Sequence, residues 1–476
     1  MTRVLFVVFF VFLVGCSESV SEIHLEISDI NIEKNENNGL SCFLSFSTDI
    51  ETEIVVRYFS PAHKGYEIKG EKAVSHSFFL WGMRAETDYT IEIYSAQDLD
   101  KPVQTALFTA GSLPDSVPYM DLTVNESSKV AEGFLMFTYF TDPYELSKPI
   151  VMMLDTDGFV VWYFEYYMAG FNVIGDVSYI EDTRTVLMSL SKGPNMADIP
   201  AEEAIEIDLK GNVIWRSIEL KSVHNGFNSW HHIYRRLPDD SLVMLKFNPV
   251  GNVITDYIIN YDRDYNALWH WTYADHFEVP DCPTGDLCDW THSNHVNMFK
   301  EKDITYVNSR NLSQYFKIDM ESGNVLWTFG KDGDFEMISD HPDPWIEFAH
   351  APEINYPEMN EILFYDNGSP ERGYSRVIKY RIDETEMTAE IIFEFDGSEI
   401  DSKWFTSFWG SIQTVENGNI FVTAGSFGES EETKLFEITE KGEIVWSVSF
   451  DHPEPVGYIN SIYNSFKFVP ELNKIH

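Results

Sequence analysis

The chain has 476 residues, and at about 150 residues per domain this length allows roughly two to four domains, or one large repeat architecture beside a small module. Its 33 Lys and Arg are outnumbered by 77 Asp and Glu, and the net charge of −44 repels a phosphate backbone, so we expect no nucleic-acid partner. Hydrophobic residues make up 44% of the chain, which is too apolar for a disordered protein. The composition predicts a folded, acidic, soluble protein.

The N-terminus has the pattern of an export signal. Arg3 is followed by an uncharged apolar run of 11 residues, Val4 to Val14, whereas spanning a bilayer takes about 20 helical residues. The junction Leu13-Val14-Gly15-Cys16 resembles a bacterial lipobox, which implies cleavage before Cys16 and a lipid on its thiol. We therefore expect a lipoprotein signal peptide in residues 1–15, a lipid-anchored tether in 16–22, and an exported protein held at the periplasmic face or surface of the bacterial cell envelope. An ordinary secretory signal with an incidental cysteine is the alternative.

The other three cysteines have two different environments. Cys282 and Cys288 are separated by five residues in one loop, and in an exported protein this spacing predicts a local disulfide. Cys42 lies in an alternating apolar segment and has no obvious partner in the sequence, which predicts a buried free thiol.

Residues 23–113 predict a small β-sandwich. Period-two runs such as 53–58 and 89–94 are separated by turn residues, as expected for half-buried strands. The segment Ala85 to Ile91 resembles the stretch before a late strand of fibronectin type III domains, where a tyrosine anchors a corner. The Pro- and Ser-rich segment 112–118 then reads as a linker. We expect a fibronectin III/Ig-like β-sandwich at this end of an all-β chain.

A strand-turn-strand phrase recurs six times in the remainder of the chain. Its Asp and Gly favour a tight hairpin, and its apolar strand ends in an aromatic residue. The closing aromatics are 53, 54, 58, 66 and 53 residues apart: Trp162, Trp215, Trp269, Trp327, Phe393 and Trp446. Such a period, built only of strands and turns, predicts a six-bladed β-propeller over residues 119–476. Two packed sandwiches are the alternative, but they would not produce so regular a period.

Histidines fall where loops enter the predicted inner strands, which face the central channel of a propeller. They are His231, His232, His292, His295 and His350. Positions of this kind in different blades converge on one axis. Because side chains alternate along a strand, only one of His231 and His232 can point inward, and the sequence leaves open which one does.

These residues carry a resemblance to the bacterial arylsulfate sulfotransferases, whose members join a small β-domain to a six-bladed propeller. The carriers are the double histidine 231–232, the phrase Asp289-Trp290-x-His292-x-Asn294, the segment Asn308-Ser309-Arg310, and His350 followed by 363–368. The resemblance covers nearly the whole mature chain. It implies transfer of a sulfuryl group from an aryl sulfate to a phenol by a ping-pong mechanism, without a nucleotide sulfate donor.

The resemblance also implies roles for individual residues. His350 matches the nucleophile that becomes sulfated, and Arg310 matches an arginine that binds the sulfuryl oxygens. His292, with His231 or His232, would stabilise negative charge or protonate the departing phenolate. Asn294 and Phe348 are assigned to substrate binding. The expected partners are a small-molecule donor and acceptor, together with a membrane reached through the lipid.

Two other interpretations remain open. The histidines with Asp289 have the chemistry of metal ligands, but an arginine in the same funnel argues against a bound cation, so we expect neither metal nor cofactor. A non-catalytic, ligand-binding propeller lipoprotein at the cell surface would keep the same motif as scaffold. In the resembling enzymes the N-terminal domain helps to assemble subunits, so a homodimer is a further expectation.

Overall fold

The computed structural model describes residues 25–139, 149–166, 173–191, 203–217, 230–264, 266–282, 287–398, 404–425, 433–450, 462–470 and 472–474. The predicted signal peptide, Cys16 and the tether lie outside these residues. The named elements of the described residues are strands, together with two short 3-10 helices at Tyr273–Asp275 and Lys300–Lys302. Within this part of the chain, no helix has the length and apolar character needed to cross a membrane.

The N-terminal region contains seven strands in two sheets. They are β1 (Ile27–Lys34), β2 (Cys42–Thr52), β3 (Ile54–Ser60), β4 (His63–Lys69), β5 (Ala73–Leu80), β6 (Asp88–Ser95) and β7 (Gln104–Thr109). One sheet has the order β1-β2-β5 and the other contains β4-β3-β6-β7. Cys42 is fully buried between them, and burial raises the pKa of its thiol to about 12, as expected for an inert free cysteine. The hydroxyl of Tyr89 accepts a hydrogen bond from the backbone N of Arg84 at 2.9 Å, which is the tyrosine corner that the sequence predicts.

The rest of the chain contributes strands β8 to β35. Those up to Phe299 are β8 (Met120–Asn125), β9 (Phe134–Tyr139), β10 (Ile150–Leu154), β11 (Val160–Glu165), β12 (Val173–Ile180), β13 (Thr185–Ser191), β14 (Glu203–Asp208), β15 (Val213–Arg216), β16 (Trp230–Arg236), β17 (Leu242–Val250), β18 (Val253–Tyr261), β19 (Ala267–Thr272), β20 (Cys288–Asp289) and β21 (Ser293–Phe299). Those beyond it are β22 (Ile304–Ser309), β23 (Gln314–Asp319), β24 (Val325–Phe329), β25 (Glu336–Met337), β26 (His350–Ile354), β27 (Glu361–Asp366), β28 (Arg376–Asp383), β29 (Thr388–Phe395), β30 (Ser411–Thr414), β31 (Ile420–Ala424), β32 (Lys434–Ile438), β33 (Ile444–Phe450), β34 (Ser465–Phe468) and β35 (Asn473–Lys474).

These strands build sheets of four or five strands that follow one another as propeller blades. From the innermost strand outward, the described sheets are β34-β9-β10-β11, β12-β13-β14-β15, β16-β17-β18-β19, β21-β22-β23-β24, β26-β27-β28-β29 and β30-β31-β32-β33-β8, which we number blades 1 to 6. Each innermost strand contacts the next, and β34 contacts both β30 and β12, so the ring is closed. The expected all-β fold with a propeller is confirmed.

Both ends of the propeller segment take part in this closure. The first strand, β8, is the outermost strand of blade 6, while the late strand β34 is the innermost strand of blade 1. Strand β35 pairs with β4 of the sandwich. Asn473 and Lys474 therefore belong to a sandwich sheet and not to the propeller predicted for 119–476.

The closing aromatics of the repeat all lie on the fourth strand of their blade, counted outward from the channel. Their indole N–H groups connect neighbouring blades: Trp162 Nε1 donates to Leu209 O at 2.8 Å, Trp269 Nε1 to Met320 O at 2.8 Å, and Trp446 Nε1 to Thr156 O at 3.0 Å. Each acceptor lies in the outer hairpin of the following blade. The repeat therefore encodes contacts between blades as well as the core within each blade.

The sandwich packs on blades 1 and 2 through a buried ion pair and a shared apolar core. Arg84 Nη2 lies 2.7 Å from Asp155 Oδ2 and 2.6 Å from Asp157 Oδ2, and the Arg84 guanidinium covers the Phe159 ring. The Asn38 side chain donates to Tyr163 O at 3.0 Å. Because charges that leave water need close partners, this pairing fixes one orientation of the two regions.

Candidate functional site

The predicted site histidines lie at one end of the propeller channel, where inner strands of successive blades begin. The pairing of β16, β21 and β26 with their neighbours shifts register just there, between His231 and Tyr234, Ser293 and His295, and His350 and Glu353. A bulge of this kind re-aims side chains that a regular strand would alternate. The shifts turn strand ends in three adjacent blades toward a common point.

The backbone is also unusual at this end of the channel. His232, His292, Phe348, Ala351 and Trp409 have φ values of 59°, 43°, 53°, 43° and 59°. The left-handed region costs a non-glycine residue about 1–3 kcal/mol, and such residues persist only where the surrounding structure holds them. These five residues come from blades 3 to 6, so this end of the channel holds five of the 13 non-glycine residues with positive φ among the described residues.

The structure distinguishes the two adjacent histidines. His232 lines the channel, and its ring contacts that of His292 with centroids 4.9 Å apart. His231 is buried behind it, stacked on Phe247 with ring centroids 3.9 Å apart. His232 is therefore the member of the pair that faces the site.

His231 nevertheless contacts the site through its neighbour. Its Nδ1 lies 2.8 Å from His232 Nδ1, and its Nε2 lies 3.1 Å from Asp256 Oδ1. Asp256 is fully buried in β18 and accepts hydrogen bonds from Thr291 Oγ1 and Ser293 N. Burial acts to raise the pKa of Asp256, but the hydrogen bonds and His231 outweigh it and lower that pKa, so the carboxylate is ionised.

His292 has a carboxylate partner of its own. Its Nδ1 lies 2.5 Å from Asp289 Oδ2. Asp289 is in β20, which pairs with β18 and begins at the disulfide Cys282–Cys288, so the predicted disulfide is confirmed. The disulfide loop thus leads directly into the segment that orients His292.

His350 is buried at the start of β26, and its tautomer can be assigned from its partners. Its Nδ1 lies 2.7 Å from Asn367 Oδ1. The amide of Asn367 cannot turn over, because its Nδ2 donates to Thr406 O at 2.7 Å and to Trp409 O at 2.9 Å. Asn367 Oδ1 is then the acceptor, and the His350 proton is on Nδ1. This places the lone pair of the imidazole on Nε2.

Burial and neighbouring charges keep the imidazoles of His350 and His232 neutral. Burial, Arg310 and His292 together lower the pKa of His350 to about 3. Burial and three neighbouring histidines also lower the pKa of His232 well below its usual value. His292 and Arg310 thus act electrostatically on both His232 and His350.

Arg310 lies between two phenyl rings. Its guanidinium carbon is 4.9 Å from the centroid of Phe348 and 4.8 Å from that of Phe408. Nη1 donates to Asn311 Oδ1 at 2.8 Å and Nη2 to Ser407 O at 3.0 Å, whereas the buried Nε has no acceptor among the described residues. Burial lowers the pKa of Arg310 to about 10, so it remains a cation. A buried cationic donor without an acceptor is suited to bind an anion.

The two predicted substrate-binding residues differ in position. Phe348 is half-buried against Arg310, where its ring could also contact an aryl group. Asn294 lines the channel, but its Nδ2 donates to Ala349 O at 2.9 Å and its Oδ1 accepts from Asn308 Nδ2 at 2.7 Å. Asn294 therefore positions the residue preceding His350.

The channel below the histidines has a volume of about 800 Å³ and is lined by the inner strands of all the blades described above. His295 lines it too, with Nε2 3.2 Å from Asn297 Oδ1. Within the described part of the chain, no group of three or more His, Cys, Asp or Glu side chains is arranged to hold a metal ion.

The sequence did not indicate Asp256, Asn367 or Phe408 as site residues. Asp256 is at an ordinary position of β18, and Asn367 directly follows β27, although Asn367 is part of the segment 363–368 noted in the resemblance. Phe408 approaches Arg310 from blade 6, a contact that spans 98 residues of chain and has no local signal.

The fold and site define a propeller with a buried, neutral histidine beside a buried arginine. The profile of the family Arylsulfotransferase (ASST) matches residues 123–454, well over half of the chain. The chain belongs to this family of sulfotransferase enzymes.

No curated protein matches the chain. Similar solved structures include a periplasmic gluconolactonase of Pseudomonas aeruginosa, at 12% identity and a TM-score of 0.39, covering 69% of this chain and 99% of that one. A luciferin-regenerating enzyme matches at 10% identity and a TM-score of 0.36, covering 75% and 100%. A nidogen/laminin complex chain matches at 8% identity and a TM-score of 0.39, covering 70% and 97%. At these values the likenesses carry no functional argument.

Proposed function

We propose that the protein transfers a sulfuryl group from a phenolic sulfate ester to a phenolic acceptor through a sulfated His350, in a ping-pong reaction without a nucleotide sulfate donor. The observation that carries the proposal is the fixed tautomer of His350. Asn367 holds the proton on Nδ1, and the low pKa of His350 keeps Nε2 unprotonated across the physiological range. A neutral imidazole nitrogen is a competent nucleophile toward sulfur.

In the donor half-reaction, the Nε2 lone pair of His350 forms a bond to sulfur while the bond from sulfur to the aryl oxygen breaks. The aryl oxygen leaves with the electron pair and takes a proton from a site histidine. Arg310 binds sulfuryl oxygens through its unpaired Nε–H, and Phe348 and Phe408 flank the aromatic ring. The Nδ1–H donated to Asn367 stabilises the positive charge of the sulfated ring.

In the acceptor half-reaction, a phenol replaces the first product. Its hydroxyl proton passes to the same histidine, its oxygen forms a bond to sulfur, and the N–S electron pair returns to His350 Nε2. The neutral amide of Asn367 suits this step, because a carboxylate would stabilise the cationic adduct more strongly and slow its breakdown.

The test is a steady-state and burst assay with 4-nitrophenyl sulfate as donor and phenol as acceptor. Donor alone should release about one nitrophenolate per active site, and varied acceptor should give parallel double-reciprocal lines. His350→Ala should abolish both signals. The matched control is His270→Ala, because His270 lies exposed on the outer strand β19.

Either of two results would overturn the proposal. If His350→Ala retained the burst, the nucleophile would be a different residue. If the folded protein released no nitrophenolate from several donors, the non-catalytic binding propeller would become the better interpretation.

We also propose that residues 1–22 export the protein and anchor it through a lipid on Cys16. The apolar run and the junction 13–16 support this proposal. Cys16→Ser should move the protein from the membrane fraction to the soluble fraction, with transferase activity per molecule unchanged. Retention of the variant in the membrane fraction would exclude the lipid anchor.

A further inference from the structure

Two carboxylate-histidine arms meet at the site, and they differ in length. In the short arm, the carboxylate of Asp289 directly contacts the ring of His292. The long arm runs from Asp256 through His231 to His232, and only its last member lines the channel. In the long arm, the side chains of His231 and His232 thus stand between the ionised carboxylate of Asp256 and the channel.

The contact between His231 and His232 joins two Nδ1 atoms, so one ring must donate and the other must accept. Asp256 is ionised and can only accept, which assigns the Nε2 proton of His231 to the contact with Asp256. His231 Nε2 and Asp256 Oδ1 are 3.1 Å apart without forming a hydrogen bond, so their contact is that of an ion pair. Two arrangements of protons then satisfy the arm, and they differ by one proton.

With the extra proton, His231 is a cation beside Asp256 and donates from Nδ1 to His232 Nδ1. The proton of neutral His232 is then on Nε2, on the far side of its ring. Without the extra proton, His231 is neutral and accepts at Nδ1 from His232, whose Nε2 carries a lone pair. His232 is neutral in both states, in agreement with its low pKa.

We propose that Asp256, His231 and His232 form a proton relay in which His232 exchanges a proton with the phenolic oxygen while the matching positive charge resides on His231. This inference rests on the proposed function. His232 is the catalytic acid and base of the relay, and His231 and Asp256 are positioning residues that act through it.

The proton balance closes over one catalytic cycle. In the donor half-reaction, His232 Nε2–H protonates the departing phenolate while His231 Nδ1–H passes to His232 Nδ1. In the acceptor half-reaction, the phenol gives its proton to His232 Nε2 while His232 Nδ1–H returns to His231. The sulfuryl group moves from donor to His350 to acceptor, and no proton is taken from water.

The groups that face the relay come from several elements. Asp256 approaches His231 from β18, together with the stacked ring of Phe247 from β17. Blades 4 and 5 bring His292 with Asp289, His350 and Arg310 close to His232. On the side of blade 1, the centroid of the Tyr463 ring is 5.9 Å from that of His232. Charging His232 itself would place a second cation near Arg310, which favours keeping the charge on His231 beside Asp256.

The test compares two donors that differ in their need for an acid. 4-Nitrophenolate departs readily without a proton, whereas the phenolate of phenyl sulfate needs one. Asp256→Asn and His231→Gln should lower kcat/KM for phenyl sulfate by about 100-fold and for 4-nitrophenyl sulfate by less than about threefold. In addition, Asp256→Asn should move the alkaline limb of the phenyl sulfate profile to lower pH, because the carboxylate no longer holds the proton on His231.

The matched control is Phe247→Leu, which loosens the packing of His231 and leaves the protons of the arm in place. It should change the rates with both donors by the same factor. Equal losses with both donors in Asp256→Asn and His231→Gln would overturn the relay and leave a structural role for both residues.

A second measurement separates failure of the relay from failure of the proposed function. Histidine labelled with ¹⁵N reports tautomer and charge, and His231→Gln and His232→Gln assign the signals. When the arm takes up its extra proton, we expect that proton on His231, while His232 changes tautomer and stays neutral. Direct protonation of His232, or an unchanged tautomer, would overturn the relay even if the protein showed no transferase activity, which by itself would refute only the proposed function.

Discussion

The outer strands and the inner strand ends of the blades follow opposite rules. On the outer strands the same phrase recurs, its aromatic residue is at the same place in every described blade, and three indoles bridge to the next blade. At the inner ends no phrase recurs, the strands bulge, and left-handed residues cluster. The repeated residues form contacts that join the blades, and the departures from the repeat coincide with the candidate site.

The largest expected effect lies on the inner side. Arg310→Ala should lower kcat/KM by about 1000-fold, because the charge that develops on the sulfuryl oxygens would lose its buried cationic donor. The midpoint of thermal unfolding should be nearly unchanged, since Arg310 has no carboxylate partner within ion-pair distance among the described residues. Arg310→Lys should recover little activity, because an ammonium lacks the planar fork. Exposed Arg381→Ala is the control, and equal loss in both variants would refute this role.

The matching change on the outer side should affect stability and spare chemistry. Trp446 is buried in β33 and bridges to Thr156 where the ring closes. Trp446→Ala should lower the free energy of unfolding by about 3–5 kcal/mol, measured by denaturant titration. Leu326→Ala is the control, because Leu326 is 50% exposed on the corresponding strand β24. A Trp446→Ala variant with full stability would show that this bridge is dispensable.

The inner side should also make the protein sensitive to acid. The folded pKa of His350 is about 3, below its value near 6.5 in an unfolded chain, so the unfolded chain binds more protons between these two values. Stability should therefore fall as the pH falls through this window, with a contribution from His350 of up to about 1.4 kcal/mol per pH unit. His350→Gln should flatten that slope in unfolding curves measured from about pH 7 to pH 4. An unchanged slope would mean that His350 does not titrate in this manner.

A smaller effect at neutral pH is expected from Asn367→Asp. A carboxylate on Nδ1 would raise the pKa of His350, since it would stabilise the imidazolium. We expect about a tenfold loss of kcat near pH 7 and a new acid limb in the pH profile, where the folded wild-type enzyme has none. A variant profile parallel to that of the wild type would contradict the assigned tautomer.

Much of the fold could be predicted because it rests on local and periodic signals. The repeat ending at Trp162 and Trp446, the tyrosine corner at Tyr89, the disulfide of Cys282 with Cys288 and the buried Cys42 each depend on residues close together in the sequence. Strand β35 was not predicted, because a short pair with β4 is selected by the distant sandwich and not by its own pattern.

Only part of the candidate site could be predicted from the sequence. Histidines at strand starts indicated where the candidate site lies, and the resemblance pointed to His350, His292 and Arg310. Asp256, Asn367 and Phe408 were missed, because their partners lie 25, 17 and 98 residues away and no short-range pattern links them.

The sequence by itself therefore determined the class of fold and the candidate site residues, because alternation, repeat period and residue type are local properties. Only the tertiary structure decided that His232 faces the channel while His231 stands behind it, since the bulge in β16 overrides simple alternation. It also decided which nitrogen of His350 carries the proton, because that depends on an Asn367 amide fixed by two carbonyls of another blade. Orientation and protonation follow from contacts between blades, and those contacts exist only when the ring is closed.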